Sequence, residues 1–138
     1  MNAHTESTRI QAARVPEGER INTLPHHFGR YHLTLEDAVY RWLDELSEDY
    51  AGGYWHYYEL SNHGFYMAPS LESLRIHVDG NGFSGRMGAD AAGITACLFA
   101  MSHLSFRFRD ETFGRHFHRL LEYAAEHPEA SAIFAATD

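Results

Sequence analysis

The apolar residues of this chain recur with two periods, one typical of helices and one typical of strands. Three segments repeat apolar residues every three or four positions, which predicts amphipathic helices. These segments are LTLEDAVYRWLDELSEDY (33–50), ADAAGITACLFAMSHLSFRF (89–108) and DETFGRHFHRLLEYAAEH (110–127). Pro128 then opens a short fourth helical segment, PEASAIFAAT, because proline suits the first position of a helix.

The ends of these helices carry recognisable signals. Thr34 and Asp110 have side chains that can cap a helix N-terminus by accepting a backbone hydrogen bond. Gly52 and Gly53 follow the first helical segment, and glycine commonly ends a helix. We therefore expect the first helix to begin at Thr34 and to end before the two glycines.

Strict alternation of apolar and polar residues marks the strands. Leu74, Ile76 and Val78 alternate with polar residues ahead of the turn signal Asp-Gly-Asn-Gly at 79–82, which predicts a hairpin. A second hairpin is predicted around the turn at 61–64, within GGYWHYYELSNHGFYMAPS (52–70). Two hairpins followed by helices predict an α+β fold, a small antiparallel sheet of three or four strands packed with about four helices.

The aromatic hairpin admits two registers, which place opposite sets of side chains on each face. A two-residue turn would need positive φ at Asn62 and His63. A type I turn followed by Gly64 in the left-handed region suits the sequence better. That register groups the side chains of the hairpin into two faces: Trp55, Tyr57, Phe65 and Met67 on one, and Tyr54, His56, Tyr58, Leu60 and Tyr66 on the other.

The chain length of 138 residues fits one domain. Residues 1–20 are polar and aperiodic and predict a flexible N-terminal arm, while residues 21–138 form a single domain that opens with an irregular loop, INTLPHHFGR. We find no secretory signal pattern and no apolar run near the roughly 20 residues of a membrane span. Cys97 is the only cysteine, so an internal disulfide is excluded. These features favour a cytoplasmic monomer without a membrane partner.

The charge balance bears on the class of partner. Eleven Lys and Arg against nineteen Asp and Glu give a net charge of −8, which argues against direct nucleic-acid binding. The segment 36–49 carries six acids against one arginine. Such spacing would allow an acidic decoy that imitates DNA, although a solvated helix face explains it more simply.

Candidate reactive groups are few. The eleven histidines lack the spacings of metal ligands, since His116 and His118 diverge on a helix and His26 and His27 are adjacent. Cys97 lies on the apolar face of its predicted helix, which predicts a core residue. We therefore expect no metal, no cofactor and no catalytic residue.

An enzymatic alternative remains open on the residues alone. Glu59 lies among Trp55, Tyr57 and Tyr66 in sequence, where an aromatic patch could raise its pKa, although a solvent-facing strand end is the favoured interpretation. The alternative function is therefore a small hydrolase that uses Cys97 or Glu59 together with a histidine.

Several blocks of the sequence resemble a known family. LPHHFG, VY, GGYWHYYELSN-GFYMAP, GNGFSGRMGADAAGI and HPEASAIFAATD are similar, in this order from Leu24 to the C-terminus, to the ArdB/KlcA antirestriction proteins. His63 departs from the Asn-Gly-Gly turn that the family pattern leads us to expect.

The resemblance implies a cytoplasmic protein of plasmids or other mobile elements. Such proteins relieve restriction of incoming plasmid or phage DNA by host type I restriction–modification enzymes, without catalysis and without imitating DNA. The expected partner is that enzyme, reached directly or through another host protein. The family offers no catalytic residues to transfer.

We expect the working surface at the aromatic hairpin and at the glycine-rich second hairpin that leads to Asp90, because Tyr and Trp are favoured anchors of protein interfaces. The residues of this expected surface are Tyr54, Trp55, Tyr57, Glu59, Asn62, Tyr66 and Asp90. The alternative is that most of these aromatic side chains belong to the core.

Overall fold

The structure, a computed structural model, describes residues 9–138 and contains five α-helices and five strands within that range. The helices are α1 (Arg20–Phe28), α2 (His32–Leu46), α3 (Ala89–Phe108), α4 (Glu111–Ala124) and α5 (Ala130–Thr137). The strands are β1 (Ala12–Arg14), β2 (Trp55–Leu60), β3 (Phe65–Pro69), β4 (Ser73–Val78) and β5 (Phe83–Gly88). The predicted α+β class, both hairpins and the helices at 89–108 and 110–127 are confirmed.

The strands divide between two antiparallel sheets. One has the order β1-β2-β3 and the other contains β4 and β5. The sequence pattern led us to expect a single sheet of three or four strands. Alternation identifies strands and short turns identify hairpins, but neither determines which hairpins become neighbours.

Helix α3 is the centre of the core. Twelve of its twenty residues are buried, and it packs against α2, α4, α5 and β3. On α2, Leu35, Val39 and Leu43 are fully buried. Trp42 stacks on Phe99 of α3 with ring centroids 4.7 Å apart. The apolar stripe predicted for α2 therefore packs on α3.

Helix α3 crosses β3 at Gly93 with almost no space between the two backbones. A methyl group at this position would overlap the carbonyl oxygen of Met67 and would lie 2.6 Å from Cα of Ala68. Only glycine permits so close an approach of a helix to a strand. The position of α3 on the first sheet therefore depends on this residue.

The first predicted helix is displaced at both ends. A 3₁₀ turn over Gly29–Tyr31 leads directly into α2, so Thr34 lies inside the first turn and caps nothing. At the other end the chain becomes extended at Ser47. Gly52 and Gly53 adopt positive φ in the loop that follows and do not cap the helix.

Residues 20–28 form helix α1, so the prediction of an irregular loop there was wrong. Pro25 suggested a loop, because proline removes a backbone donor from a helix interior. Tertiary packing offsets that cost, since Leu24 and Phe28 lie four residues apart and are both buried.

Part of the expected arm is also ordered. Residues 12–14 form β1, which pairs with β2 through the register Ala12↔Leu60 to Arg14↔Tyr58. Val15 after it is buried. A three-residue edge strand is held by backbone hydrogen bonds, so it is too short to show a clear alternation of apolar and polar side chains. Residues 1–8 of the predicted arm lie outside the described residues.

The preferred register of the aromatic hairpin is confirmed, since Tyr57 faces Met67 and Tyr58 faces Tyr66. The turn differs in one detail: His63, with φ of 71°, is the left-handed residue, and Gly64 is not. Space favours glycine at position 64 instead, because a methyl group there would lie 3.0 Å from Cβ of Arg119 and 3.0 Å from Oδ1 of Asn62.

By length and composition alone, α3 could cross a membrane. However, 67% of its apolar window is buried within the fold. A central core helix satisfies the same criterion.

Replacing Gly93 by Ala should strongly destabilise the protein. The added methyl group meets backbone atoms of β3, which cannot move aside as a flexible side chain can, so we expect a loss of at least about 3 kcal/mol. Gly114→Ala is the matched control. It is also helical, has open space around it, and should gain about 0.5 to 1 kcal/mol. Urea unfolding of both variants measures this, and equal midpoints would contradict the close-approach argument.

Candidate functional site

The aromatic hairpin contributes mainly to the core. Every residue of β3 is buried, and the side chains of Trp55, Tyr57 and Tyr66 are only 2%, 6% and 1% exposed. Of the seven residues of the expected surface, the accessible ones are Tyr54, Glu59, Asn62 and Asp90. These four do not form one continuous aromatic patch.

On one face of the hairpin, tyrosine hydroxyls converge on a carboxylate of α2. Tyr57 and Tyr40 donate hydrogen bonds to Oε2 of Glu36, at 2.7 Å and 3.1 Å. Burial, and secondarily Glu36, raise the pKa of both phenols well above the ordinary range. The Arg20 guanidinium lies over the Tyr57 ring at 4.1 Å. Both tyrosines are therefore neutral donors, and the hydrogen bond from Tyr57 holds β2 against α2.

On the other face, Tyr66 belongs to a three-residue junction. It donates to Oδ1 of Asp90 at 2.7 Å, and Nε2 of His127 lies 2.9 Å from Oδ2 of the same carboxylate. The backbone N–H of Glu129 donates to Nδ1 of His127, so Nε2 must carry the proton that is given to Asp90. Both imidazole nitrogens are occupied.

This junction ties three elements together. Asp90 lies in the first turn of α3, where a carboxylate is favoured by the helix dipole. Tyr66 comes from β3, and His127 precedes α5. Burial raises the pKa of the Tyr66 phenol, and Asp90 adds to this shift. An arrangement with no free nitrogen and a phenol that stays neutral is suited to stability rather than to proton transfer.

The Tyr66 ring also lies in a stack of aromatic rings. It is stacked with Tyr58 at 4.7 Å and with Tyr123 at 5.7 Å between ring centroids, and the Arg14 guanidinium lies over the Tyr58 ring at 5.5 Å. The stack joins β1, β2, β3 and α4.

Glu59 pairs with a histidine that the sequence analysis did not connect with it. Its Oε2 lies 2.8 Å from Nε2 of His27, at the C-terminal end of α1. The Glu59 side chain is 46% exposed and Tyr66 is on the opposite face of the hairpin, so Glu59 is not enclosed by the aromatic residues around it in sequence. Burial lowers the pKa of His27, and Glu59 opposes that shift.

Asn62 organises the tip of the hairpin. Its Oδ1 accepts a hydrogen bond from the N–H of Gly64, and its Nδ2 donates to the carbonyl oxygen of Arg119 and to Oε1 of Glu122. The side chain thereby attaches the turn to α4. Asn62 is thus partly committed to structure.

His116 of α4 lies beside this tip and is 3% exposed. Its Nδ1 is buried and, within residues 9–138, has no hydrogen-bond partner. Burial, with smaller contributions from His27 and Arg119, lowers the pKa of His116 from 6.5 to about 3. The imidazole is therefore neutral at physiological pH.

Cys97 is fully buried beneath β3. Its Sγ lies 3.5 Å from the backbone nitrogen and 3.6 Å from the carbonyl oxygen of Met67. Burial raises the pKa of the thiol to about 12. A neutral, inaccessible thiol is a poor nucleophile. Within the described part of the chain, no group of three His, Cys, Asp or Glu side chains is arranged to hold a metal ion.

Removing the Tyr66 hydroxyl should destabilise the protein. Tyr66→Phe leaves one oxygen of Asp90 without its donor, and we expect a loss of about 1 to 2 kcal/mol in urea unfolding. Tyr58→Phe is the matched control, because the Tyr58 hydroxyl is bonded to Arg14 at the surface and its removal should change stability by less than about 0.5 kcal/mol. Equal losses of stability in the two variants would show that the hydrogen bond from Tyr66 to Asp90 contributes no more than an exposed one.

The low pKa of His116 predicts a pH dependence of stability. Between pH 3 and 6.5 the unfolded state binds a proton at residue 116 that the folded state does not, so stability falls as the pH falls through this window. The slope for one group is about 1.4 kcal/mol per pH unit, and His27 contributes in the same direction.

The variant His116→Phe should flatten the loss of stability between pH 6.5 and 5, as measured by urea unfolding at each pH. His118→Gln, an exposed position on the same helix, controls for the removal of a histidine and should keep the wild-type slope. An unchanged slope in His116→Phe would contradict the assignment.

Comparison with known proteins places these features in a family. A model of the antirestriction protein family matches residues 48–138, from the end of α2 to the C-terminus. An antirestriction protein KlcA of Escherichia coli is 47% identical over 142 residues, covering 98% of this chain and 99% of that protein. The uncharacterized protein YafX of Escherichia coli K12 is 41% identical and covers 99% of this chain and 93% of its own length.

A solved structure agrees with the sequence comparison. It has a TM-score of 0.87 and 47% identity, and the match covers 94% of this chain and 95% of that chain. It is described as showing that the KlcA and ArdB proteins have a novel fold and antirestriction activity against type I DNA restriction systems in vivo but not in vitro. The family resemblance seen in the sequence is confirmed: this chain belongs to the antirestriction protein family.

Proposed function

We propose that this protein relieves type I restriction of incoming plasmid or phage DNA inside the cell. The observation that carries the proposal is 47% identity over nearly the whole chain to an antirestriction protein. The TM-score of 0.87 to the KlcA and ArdB fold supports it. Restriction of incoming DNA takes place in the cytoplasm, so we propose that the protein acts there.

We propose that it acts by binding rather than by catalysis. The hydrolase alternative needed Cys97 or Glu59 with a histidine. Cys97 is a buried thiol with a pKa raised to about 12. Glu59 does meet His27, but the cleft around that pair is lined by no serine, threonine, cysteine or tyrosine among the described residues. The geometry thus favours an inhibitor over a hydrolase.

The distribution of acids argues against a DNA decoy. Of the acidic residues between 36 and 49, Glu36 accepts hydrogen bonds from two tyrosines. Asp37 pairs with Arg41 at 3.1 Å, and Asp49 accepts from the N–H of Arg75. Helix α2 ends at Leu46, so the last acids leave the helical spacing. A phosphate mimic needs a continuous row of free charges, which these contacts interrupt.

The partner that we propose is a host type I restriction–modification enzyme, reached directly or through another host protein. KlcA and ArdB are described as active in vivo but not in vitro. That difference favours the indirect route, because an activity lost on purification requires a component that the cell supplies.

We propose that the working surface is the turn end of the aromatic hairpin. Glu59 is accessible there and Asn62 partly so, whereas Trp55, Tyr57 and Tyr66 are buried and support the hairpin from within. Tyr54 and Asp90 are accessible elsewhere on the molecule. An interface confined to the tip would use polar and cationic contacts more than aromatic anchors.

In cells that carry a type I restriction system, expression of this protein should raise the plating efficiency of unmodified phage. Cys97→Ala should relieve restriction as well as the wild type, because the proposed mechanism needs no nucleophile and alanine fills most of the buried site. We choose alanine over serine, since a serine hydroxyl could substitute in catalysis. Each variant's melting temperature provides the control for folding.

Loss of relief in Cys97→Ala with an unchanged melting temperature would contradict the binding mechanism. Absence of relief by the wild-type protein itself would contradict the proposed function.

A further inference from the structure

A cleft of about 390 Å³ opens between the C-terminal end of α1, the β2–β3 turn and α4. Its lining contains two arginines, four histidines, one leucine and one carboxylate. The arginines are Arg115 and Arg119, which lie one helical turn apart on α4. In a chain with a net charge of −8, this is a concentration of cationic groups in a concave place.

The one carboxylate of the cleft offsets only one of the two arginine charges. Oε2 of Glu59 lies 2.8 Å from Nε2 of His27, and burial lowers the pKa of His27, so this contact is a hydrogen bond donated by a neutral imidazole. Arg119 donates to the carbonyl oxygen of His63 at 3.3 Å, a contact that leaves its charge without a counterion. Arg115 is exposed and forms no hydrogen bond or ion pair in the described part of the chain.

A nearby acid is engaged elsewhere. Glu122 lies one turn after Arg119 on the same helix, but its Oε1 accepts a hydrogen bond from Asn62. Within residues 9–138, Glu122 forms no ion pair with either arginine. Two arginines face one carboxylate in the cleft, so the cleft has a net positive charge, and its concave shape concentrates the field of that charge.

A second observation independently indicates a missing polar partner. His116 also lines the cleft, and its buried Nδ1 has no hydrogen-bond partner among the described residues. Buried polar atoms without a partner are rare and destabilising. In the tautomer that has its proton on Nδ1, the neutral imidazole needs an acceptor at that atom, and an oxygen atom bound beside His116 would supply one.

We propose that this cleft binds a carboxylate side chain of an acidic segment on a partner protein. Paired arginines match the planar carboxylate through charge-assisted hydrogen bonds. The volume suits one or two side chains. The cleft includes the turn end of the hairpin, which is the working surface proposed above. The inference rests on the proposed function only in taking the partner to be a protein.

A nucleic acid fits these observations less well. Duplex DNA presents a charge about every 1.7 Å along its axis, and most of those phosphates would face a protein surface whose net charge is −8. A protein segment can present one or two carboxylates to the cleft and keep neutral or basic residues elsewhere.

The test uses the full-length protein labelled with ¹⁵N and a capped tetraglutamate peptide as the probe. We expect saturable chemical-shift changes at Arg115, Arg119 and the His63 turn. A capped tetraglutamine peptide should cause none, and a four-nucleotide oligothymidylate, which supplies phosphates in place of carboxylates, should bind more weakly than tetraglutamate.

Arg115→Gln should weaken tetraglutamate binding roughly fivefold, which is what the loss of one exposed charge pair allows. Arg75→Gln is the matched control. It removes the same charge from an exposed strand position outside the cleft, and its affinity should equal that of the wild type. Arg115 has no structural contact to lose, so both variants should fold normally.

Three results would overturn the proposal. Tetraglutamate could cause no shifts in the cleft, it could bind Arg115→Gln as tightly as the wild type, or the oligonucleotide could bind the cleft more tightly than the peptide. The cellular assay separates this inference from the proposed function. Restriction relief without peptide binding would reject the cleft and keep the function, whereas peptide binding without relief would do the reverse.

Discussion

The close approach of α3 to β3 is the contact on which the rest of the fold depends. Because Gly93 has no side chain, the helix lies directly against the backbone at Met67 and Ala68. That contact buries Cys97 under the strand. It also leaves the remaining surface of α3 to be covered by α2, α4 and α5. The first sheet and the helices thus share one core, built around a helix that is buried for most of its length.

The aromatic hairpin is explained by the same packing. A strand covered on both faces needs large side chains on both, and tyrosine can supply area while its hydroxyl finds a partner. Tyr57 finds Glu36 and Tyr66 finds Asp90. Each pair satisfies a buried hydroxyl at a boundary between elements, and the two carboxylates thereby fix the first sheet against the helices.

Much of this could be predicted from the sequence, and the exceptions have physical reasons. Helix α3 follows from periodicity and the hairpin register follows from turn chemistry, and both are local properties of the sequence. Helix α1 was missed because Pro25 outweighs local propensity until Leu24 and Phe28 are buried by the rest of the fold. The pairs His27–Glu59 and His127–Asp90 join residues far apart in the chain. No spacing rule identifies such partners, so a sequence rich in histidine gave no indication of which histidines were paired.

The pairing of polar groups also bears on the kind of activity this fold can support. Catalysis requires a reactive group with a free atom and access to substrate, yet Cys97 is enclosed and both nitrogens of His127 are occupied. Among the described residues, Arg115 and Arg119 of the cleft beside the β2–β3 turn form no ion pair, and Nδ1 of His116 has no hydrogen-bond partner. These groups suit the anion recognition that we propose for the cleft. If the protein acts by binding, as we propose, its effect depends on whether the bound molecule is present, as it is in a cell.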